Sequence, residues 1–177
     1  MVSLLSDIVY KESTDRGLIN PAKTEYVGGL IIHNSRSDWD AYLRTELNSL
    51  CNLSEDWDGY GSPAVSFENA ELGLHLLNSL KQIVDNSSAE IRSYIPSSPY
   101  LVPVSGGALQ AEWHLDSYFI ELFFDSDEPI QAMFYSSDDM IDESMEIDCS
   151  EIQTNIRPLV NWFKRVHELN NARAIAV

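Results

Sequence analysis

The feature that most constrains the fold is a change in the spacing of apolar residues near residue 100. From Leu101 to Phe134 apolar side chains recur at every second position, which is typical of β-strands. Turn residues at Ser105–Gly107 and Asp125–Pro129 divide this stretch into short strands. Short strands joined by tight turns form an antiparallel sheet, and its apolar face needs helices over it. The sequence therefore predicts an α+β fold containing a four-stranded antiparallel β-meander.

Helices are predicted before and after the meander in the sequence. Ser37 and Ser66 can each cap a helix, and apolar residues at three- and four-residue steps follow both serines. A third apolar stripe runs from Ile152 to Val166, where Pro158 should kink or restart the helix. The expected order is two N-terminal helices, the sheet and a C-terminal helix.

The length of 177 residues fits one domain. We expect residues 1–36 to form an N-terminal extension and residues 37–177 to form a single α+β domain. Residues 86–99 have the composition of a loop. Residues 136–149 are predicted to be an acidic loop between the last strand and the C-terminal helix.

The charge balance is strongly acidic, with 11 Lys and Arg against 28 Asp and Glu and a net charge of −17. A small domain usually carries a net charge of roughly 2–8 in magnitude. Such an excess argues against direct binding of nucleic-acid phosphates or anionic membranes, because both need basic patches. Two cysteines make no disulfide framework, and no apolar run could span a membrane, so a cytoplasmic protein is expected.

The acidic residues are concentrated in one part of the chain. No Lys or Arg occurs between Arg92 and Arg157, a stretch of 64 residues that contains 13 acids. A solvated loop that only aids solubility is one interpretation, and a docking surface for a basic protein is the other. The candidate partner-binding acids in this cluster are Asp138, Asp139, Asp142, Glu143, Glu146 and Asp148.

The second face of the predicted sheet combines aromatic and acidic residues. The alternation places Phe119 and Phe123 on that face together with Glu112 and Glu121. Such a face is either half-covered core or, if exposed, a platform for a protein partner. These four residues complete the candidate partner-binding set.

Glu112 and Glu121 also support an alternative function. Paired carboxylates on neighbouring strands, with His114 beside them, could perform the acid–base chemistry of a hydrolase. That chemistry would need a pocket around them, which a sequence does not show. The chain has no nucleophile-elbow motif, no zinc-ligand spacing and no phosphate-binding loop, so no catalytic residue, metal or cofactor is predicted.

A structural turn is predicted at Trp57, Asp58, Gly59, Tyr60 and Gly61. Asp56 and Asp58 resemble the opening of a calcium loop, but Tyr60 stands where a third oxygen ligand belongs. We therefore expect Trp57 and Tyr60 to pack on the core while the glycines supply positive φ angles.

The same turn carries a resemblance. The run Trp57–Gly61, a helix after Ser66, and the Gly106-Gly107 hairpin leading to Glu112-Trp113 together resemble a pattern in small bacterial and phage proteins. The resemblance covers roughly residues 40–135. It implies a bacterial or phage origin, and it implies no catalytic residue because no activity is assigned to that group.

The function predicted from these observations is non-catalytic binding. We expect an acidic protein that neutralises or regulates a basic protein partner, as an antitoxin, an immunity protein or a phage-type inhibitor would. Its carboxylates could also imitate DNA phosphates. The alternatives are the hydrolase and a purely structural module of a larger assembly.

Overall fold

The structure is a computed structural model that describes residues 26–27, 30–31, 39–95, 98–138, 140–148 and 155–175. It confirms the α+β class and the antiparallel sheet, but the sheet has five strands instead of four. The strands are β1 (Tyr26–Val27) and β2 (Leu30–Ile31), which pair with each other, and β3 (Tyr100–Val104), β4 (Ala108–Leu115), β5 (Tyr118–Phe124), β6 (Ile130–Ser136) and β7 (Asp142–Ile147), which form the sheet in that order.

The fifth strand, β7, corrects the prediction that residues 136–149 form a loop. β7 pairs with β6 from Ile130↔Ile147 to Tyr135↔Asp142. Met145 and Ile147 alternate onto the face that packs against the helices, but the acids between and before them make this alternation hard to recognise in the sequence. Charged residues are common on an edge strand, because they discourage pairing of its free edge with another molecule.

Four helices lie in the described part of the chain. They are α1 (Trp39–Cys51), α2 (Phe67–Asp85), α3 (Ala89–Tyr94) and α4 (Arg157–Ile175). The short helix α3 lies within residues 86–99, which were wrongly predicted to be loop, and Ser88 caps it. None of the described helices is long and apolar enough to cross a membrane.

The predicted helix ends agree with the structure where it describes them. The Ser66 hydroxyl accepts a hydrogen bond from Asn69 N at 3.1 Å and so caps α2. Pro158 is the second residue of α4, so the helix restarts there, because the first turn tolerates a residue without an N–H. The predicted cap at Ser37 lies outside the described residues.

The core lies between one face of the sheet and the helices. Side chains that alternate along β4, β5 and β6 are buried there, and the Trp113 and Phe163 rings meet edge to face at 5.1 Å. Helix α2 passes so close to the sheet that a Cβ on Gly73 would lie 2.6 Å from Leu109 Cδ2. This face of the sheet therefore packs against the helices.

Buried Asn69 fixes one end of the sheet. Its side-chain amide donates to Gly107 O at 2.8 Å, and its carbonyl accepts from Ser126 N at 2.6 Å. Helix α2 is thereby hydrogen-bonded to the β3–β4 and β5–β6 turns. These bonds fix the strands relative to α2, and so they also fix the side chains on the opposite face of the sheet.

Candidate functional site

The second face of the sheet, which we call the open face, carries no buried side chain at the positions that define it. The strand register places its residues in three rows across the five strands. These residues are Tyr100, Val102, Gln110, Glu112, His114, Phe119, Glu121, Phe123, Gln131, Met133, Tyr135, Asp142, Ser144 and Glu146. The prediction that Phe119 and Phe123 share a face with Glu112 and Glu121 is confirmed.

Two carboxylates face each other at the centre of the open face. Glu112 and Glu121 are direct cross-strand partners and both are half-buried. Glu112 accepts a hydrogen bond from Gln110 Nε2 at 3.0 Å and lies 2.7 Å from His114 Nε2. Glu121 accepts a hydrogen bond from the Tyr135 hydroxyl. Like charges directly opposite each other destabilise a sheet, and the hydrogen bonds from Gln110 and Tyr135 offset part of this cost.

An aromatic row runs beside the carboxylates. The Phe119 ring stacks on Tyr135 with centroids 5.0 Å apart and planes 12° apart, and it meets His114 edge to face at 5.2 Å. Burial raises the pKa of Tyr135 to about 12, with the Glu121 hydrogen bond and the Glu121 and Glu112 charges adding to the effect. Flat apolar rings thus lie next to negative charge over much of the face.

No Lys or Arg balances these charges within the sheet. Strands β3 to β7 all fall in the stretch between Arg92 and Arg157 that lacks both residues. His114 is therefore the one side chain on the five strands that can become cationic. The open face is an acidic and aromatic surface without a fixed positive charge of its own.

The acid cluster predicted as one docking surface is divided by the sheet. Asp142 and Glu146 lie on the open face, where Gln131 Nε2 donates to Glu146 at 3.3 Å. Asp148 is exposed beyond the end of β7. Asp139 lies outside the described residues.

Glu143, in contrast, lies on the face that the helices cover. Its carboxylate accepts a hydrogen bond from Trp162 Nε1 at 3.1 Å and forms an ion pair with Arg165. The Arg165 guanidinium also lies 5.6 Å from the Phe134 ring centroid. This carboxylate joins the edge of the sheet to α4, and the role of Glu143 in partner binding stays a prediction.

Asp138 is held in a similar way. It accepts hydrogen bonds from the Ser117 and Ser137 hydroxyls and lies 3.6 Å from Arg173 Nη1. The Ser117 hydrogen bond is the main cause of a pKa below the usual range, with Ser137 and the Arg173 charge contributing. The sequence signal for these contacts is the pair of arginines about two turns apart in α4, Arg165 and Arg173, although their spacing alone does not identify the acids that they contact.

The predicted turn is more ordered than a simple connection. Asp58 accepts hydrogen bonds from Tyr60 N at 2.9 Å and from the Ser62 hydroxyl at 2.6 Å, and the Ser62 bond is the main cause of its lowered pKa. Gly59 and Gly61 have φ angles of 76° and 84°, as predicted. Tyr60 is 93% exposed, so the prediction that it packs on the core is wrong, because the loop fixes its own backbone and points this side chain outward.

A cleft of about 290 Å³ lies between α3, the β4–β5 turn and α4. Tyr94, His114, Asp116 and His167 help to line it, whereas Glu112 and Glu121 do not. The described residues contain no group of three or more His, Cys, Asp or Glu that could hold a metal ion. The hydrolase alternative stays a prediction, with the Glu112–His114 contact as its structural basis.

Comparisons with protein-family models, with curated proteins and with solved structures each give no match to this chain. The resemblance to small bacterial and phage proteins therefore stays a prediction.

Proposed function

We propose that this chain is a non-catalytic binding protein that takes up a basic protein partner on the open face. The observation that carries the proposal is the combination of Glu112, Glu121, Asp142 and Glu146 with stacked aromatic rings on strands that contain no Lys or Arg. A positively charged partner would supply the missing counter-charge.

The composition of the face favours a protein over a simple counter-ion. Aromatic residues are enriched at protein interfaces because they bury a large area with few rotatable bonds. Met133 is 37% exposed and Tyr100 is 37% exposed, so apolar contact area is accessible beside the carboxylates. The carboxylates would steer a basic partner towards the face and raise the association rate.

The biological forms of this function are those that the sequence predicted. An antitoxin, an immunity protein and a phage-type inhibitor, including one that imitates DNA, would each bind a basic partner and block it. They differ in the partner and share the physical requirement for a negative, partly apolar surface.

The test uses the immobilised full chain and a lysate of the source organism at low salt. An open-face variant carries Asp142→Lys and Glu146→Lys, and a control variant carries Asp127→Lys and Glu128→Lys in the β5–β6 turn. Both variants change the net charge equally, and all four side chains are exposed.

We expect the wild type and the control to retain the same basic protein, to release it at high salt, and the open-face variant to lose it. Circular dichroism checks that both variants fold. Equal retention by all three chains would contradict the proposal, since binding would then follow net charge and not this face.

A further inference from the structure

We propose that the open face binds an arginine side chain of the basic partner, with the guanidinium against the Tyr135 ring and between the carboxylates of Glu121 and Asp142. This inference rests on the proposed function and specifies the chemistry of the partner. It commits to arginine and not to lysine.

The first argument is an arrangement that the protein already contains on the covered face. Phe134 and Glu143 are direct cross-strand partners, and Arg165 of α4 contacts both by lying over the ring and pairing with the carboxylate. The next pair in the same register, Tyr135 and Asp142, has the same aromatic–carboxylate composition but faces the other way. Within the described residues no Lys or Arg pairs with Asp142.

A second site in the molecule repeats the arrangement. The Arg173 guanidinium lies 5.0 Å from the Tyr118 ring centroid and 3.6 Å from Asp138. The sheet thus meets α4 through two arginines, each of which combines an aromatic ring with a carboxylate. The open face offers the same two kinds of group to a cation from outside.

The geometry of the face suits a guanidinium better than an ammonium. The Glu121 carboxylate accepts a hydrogen bond from the Tyr135 hydroxyl and is therefore held beside the ring. Asp142 is the cross-strand neighbour of Tyr135 on β7, the strand on the other side of β6. A planar guanidinium can lie on an aromatic ring and donate to two carboxylates at once, because its five N–H groups point outward in one plane. A lysine ammonium contributes charge but cannot make both contacts in this flat form.

The other possible occupants are less well matched in charge. A second copy of a chain with a net charge of −17 would be repelled by this acidic face. Residues 1–38 contain both signs in nearly equal number, so this segment supplies little net positive charge. A basic partner segment that contains arginine is complementary in both charge and shape.

The test titrates the full chain with two probe peptides of equal charge, hexa-arginine and hexa-lysine, at fixed ionic strength. We expect hexa-arginine to bind about fivefold more tightly, from the ring contact and the paired hydrogen bonds. Amide chemical shifts should change at Phe119, Glu121, Tyr135 and Asp142.

Glu121→Gln and Asp142→Asn should each reduce the preference for arginine to less than about twofold, because one carboxylate partner is lost. The control Asp127→Asn removes one charge from the β5–β6 turn and should keep the preference. Backbone amide spectra of each variant check the fold.

Equal affinity for the two peptides, or shifts confined to other acids, would overturn the inference. The proposed function would survive that result if the captured basic protein still depended on Asp142 and Glu146. A carbodiimide cross-link from Glu121 or Asp142 to Lys11 or Lys23 of the same molecule would instead identify the N-terminal segment as the occupant. Dimers that disappear in Asp142→Asn would identify a second copy, and either result would also overturn the inference.

Discussion

The two faces of the sheet are built from alternate residues of the same strands, yet they treat charge in opposite ways. On the covered face, Glu143 is neutralised by Arg165 and bonded to Trp162. One residue away on the open face, Asp142 is exposed beside Tyr135 and has no described cation. Carboxylates are therefore paired with arginines of the same chain where α4 contacts the sheet, and they are left exposed on the face that no described helix covers.

The two faces also differ in how much they contribute to folding. The covered face supplies fully buried side chains such as Phe134 and Tyr118, whereas Phe119, Phe123 and Tyr135 on the open face are half-buried. Removal of open-face groups should therefore change binding more than stability.

Phe134→Ala should lower the free energy of unfolding by about 3–5 kcal/mol, because it opens a cavity in the core. Phe119→Ala, in the next strand but on the open face, should cost about 1 kcal/mol, mainly from the lost stacking on Tyr135. Urea unfolding monitored by circular dichroism measures both. Similar losses for the two variants would remove the energetic distinction between the faces.

Arg165→Ala should destabilise the protein by about 1 kcal/mol, since it removes a half-exposed ion pair and a contact with the Phe134 ring. A double-mutant cycle with Glu143→Ala separates the energy of the Arg165–Glu143 ion pair from the energy of the other contacts of Arg165. The cycle should give a coupling between these residues, and additive effects would show that Glu143 does not join β7 to α4.

Glu121→Gln should lower the pKa of Tyr135 from about 12 towards its ordinary 10.0, while burial keeps part of the elevation. A raised folded-state pKa means that the contribution of Tyr135 to stability is fully present below pH 10.0 and is lost as the pH rises through about 12. In the variant the loss should still begin near pH 10.0, but it should be smaller and end at a lower pH, because the folded-state pKa lies closer to the unfolded one. Ultraviolet absorbance of ionised tyrosine measures the pKa, and Tyr135→Phe identifies the transition.

Asp142→Asn should raise stability by roughly 0.2–0.5 kcal/mol, because it relieves repulsion on a face without Lys or Arg. Added salt should reduce this gain by screening the charges. Glu143→Gln, the neighbouring substitution on the covered face, should lower stability. The same sign for both changes in thermal unfolding would contradict the contrast between the faces.

The core of this fold could be predicted from the sequence because its signals are local. Alternation along β4 to β6 and the stripe after Ser66 depend only on spacing, so the register and the buried face followed from them. Strand β7 was missed because its three acids outweigh the apolar signal of Met145 and Ile147. Its place is decided by pairing with β6, which is a tertiary interaction.

The candidate site was predicted only where alternation decides it. Phe119, Phe123, Glu112 and Glu121 share a face because they occupy alternate positions on paired strands. Glu143 and Asp142 point to opposite faces because β7 pairs with β6, and the Arg165 that contacts Glu143 is 22 residues further along the chain. Tyr60 was misplaced because the hydrogen bonds of Asp58 fix the loop, and aromatic character alone does not show which way a side chain points.

The two outer strands of the sheet have a consequence for how this protein behaves at high concentration. Pro103 in β3 has no N–H to offer a neighbouring molecule, and β7 carries Asp142, Glu143 and Glu146 along its six residues. Each edge thus resists intermolecular strand pairing, one by a missing donor and the other by charge.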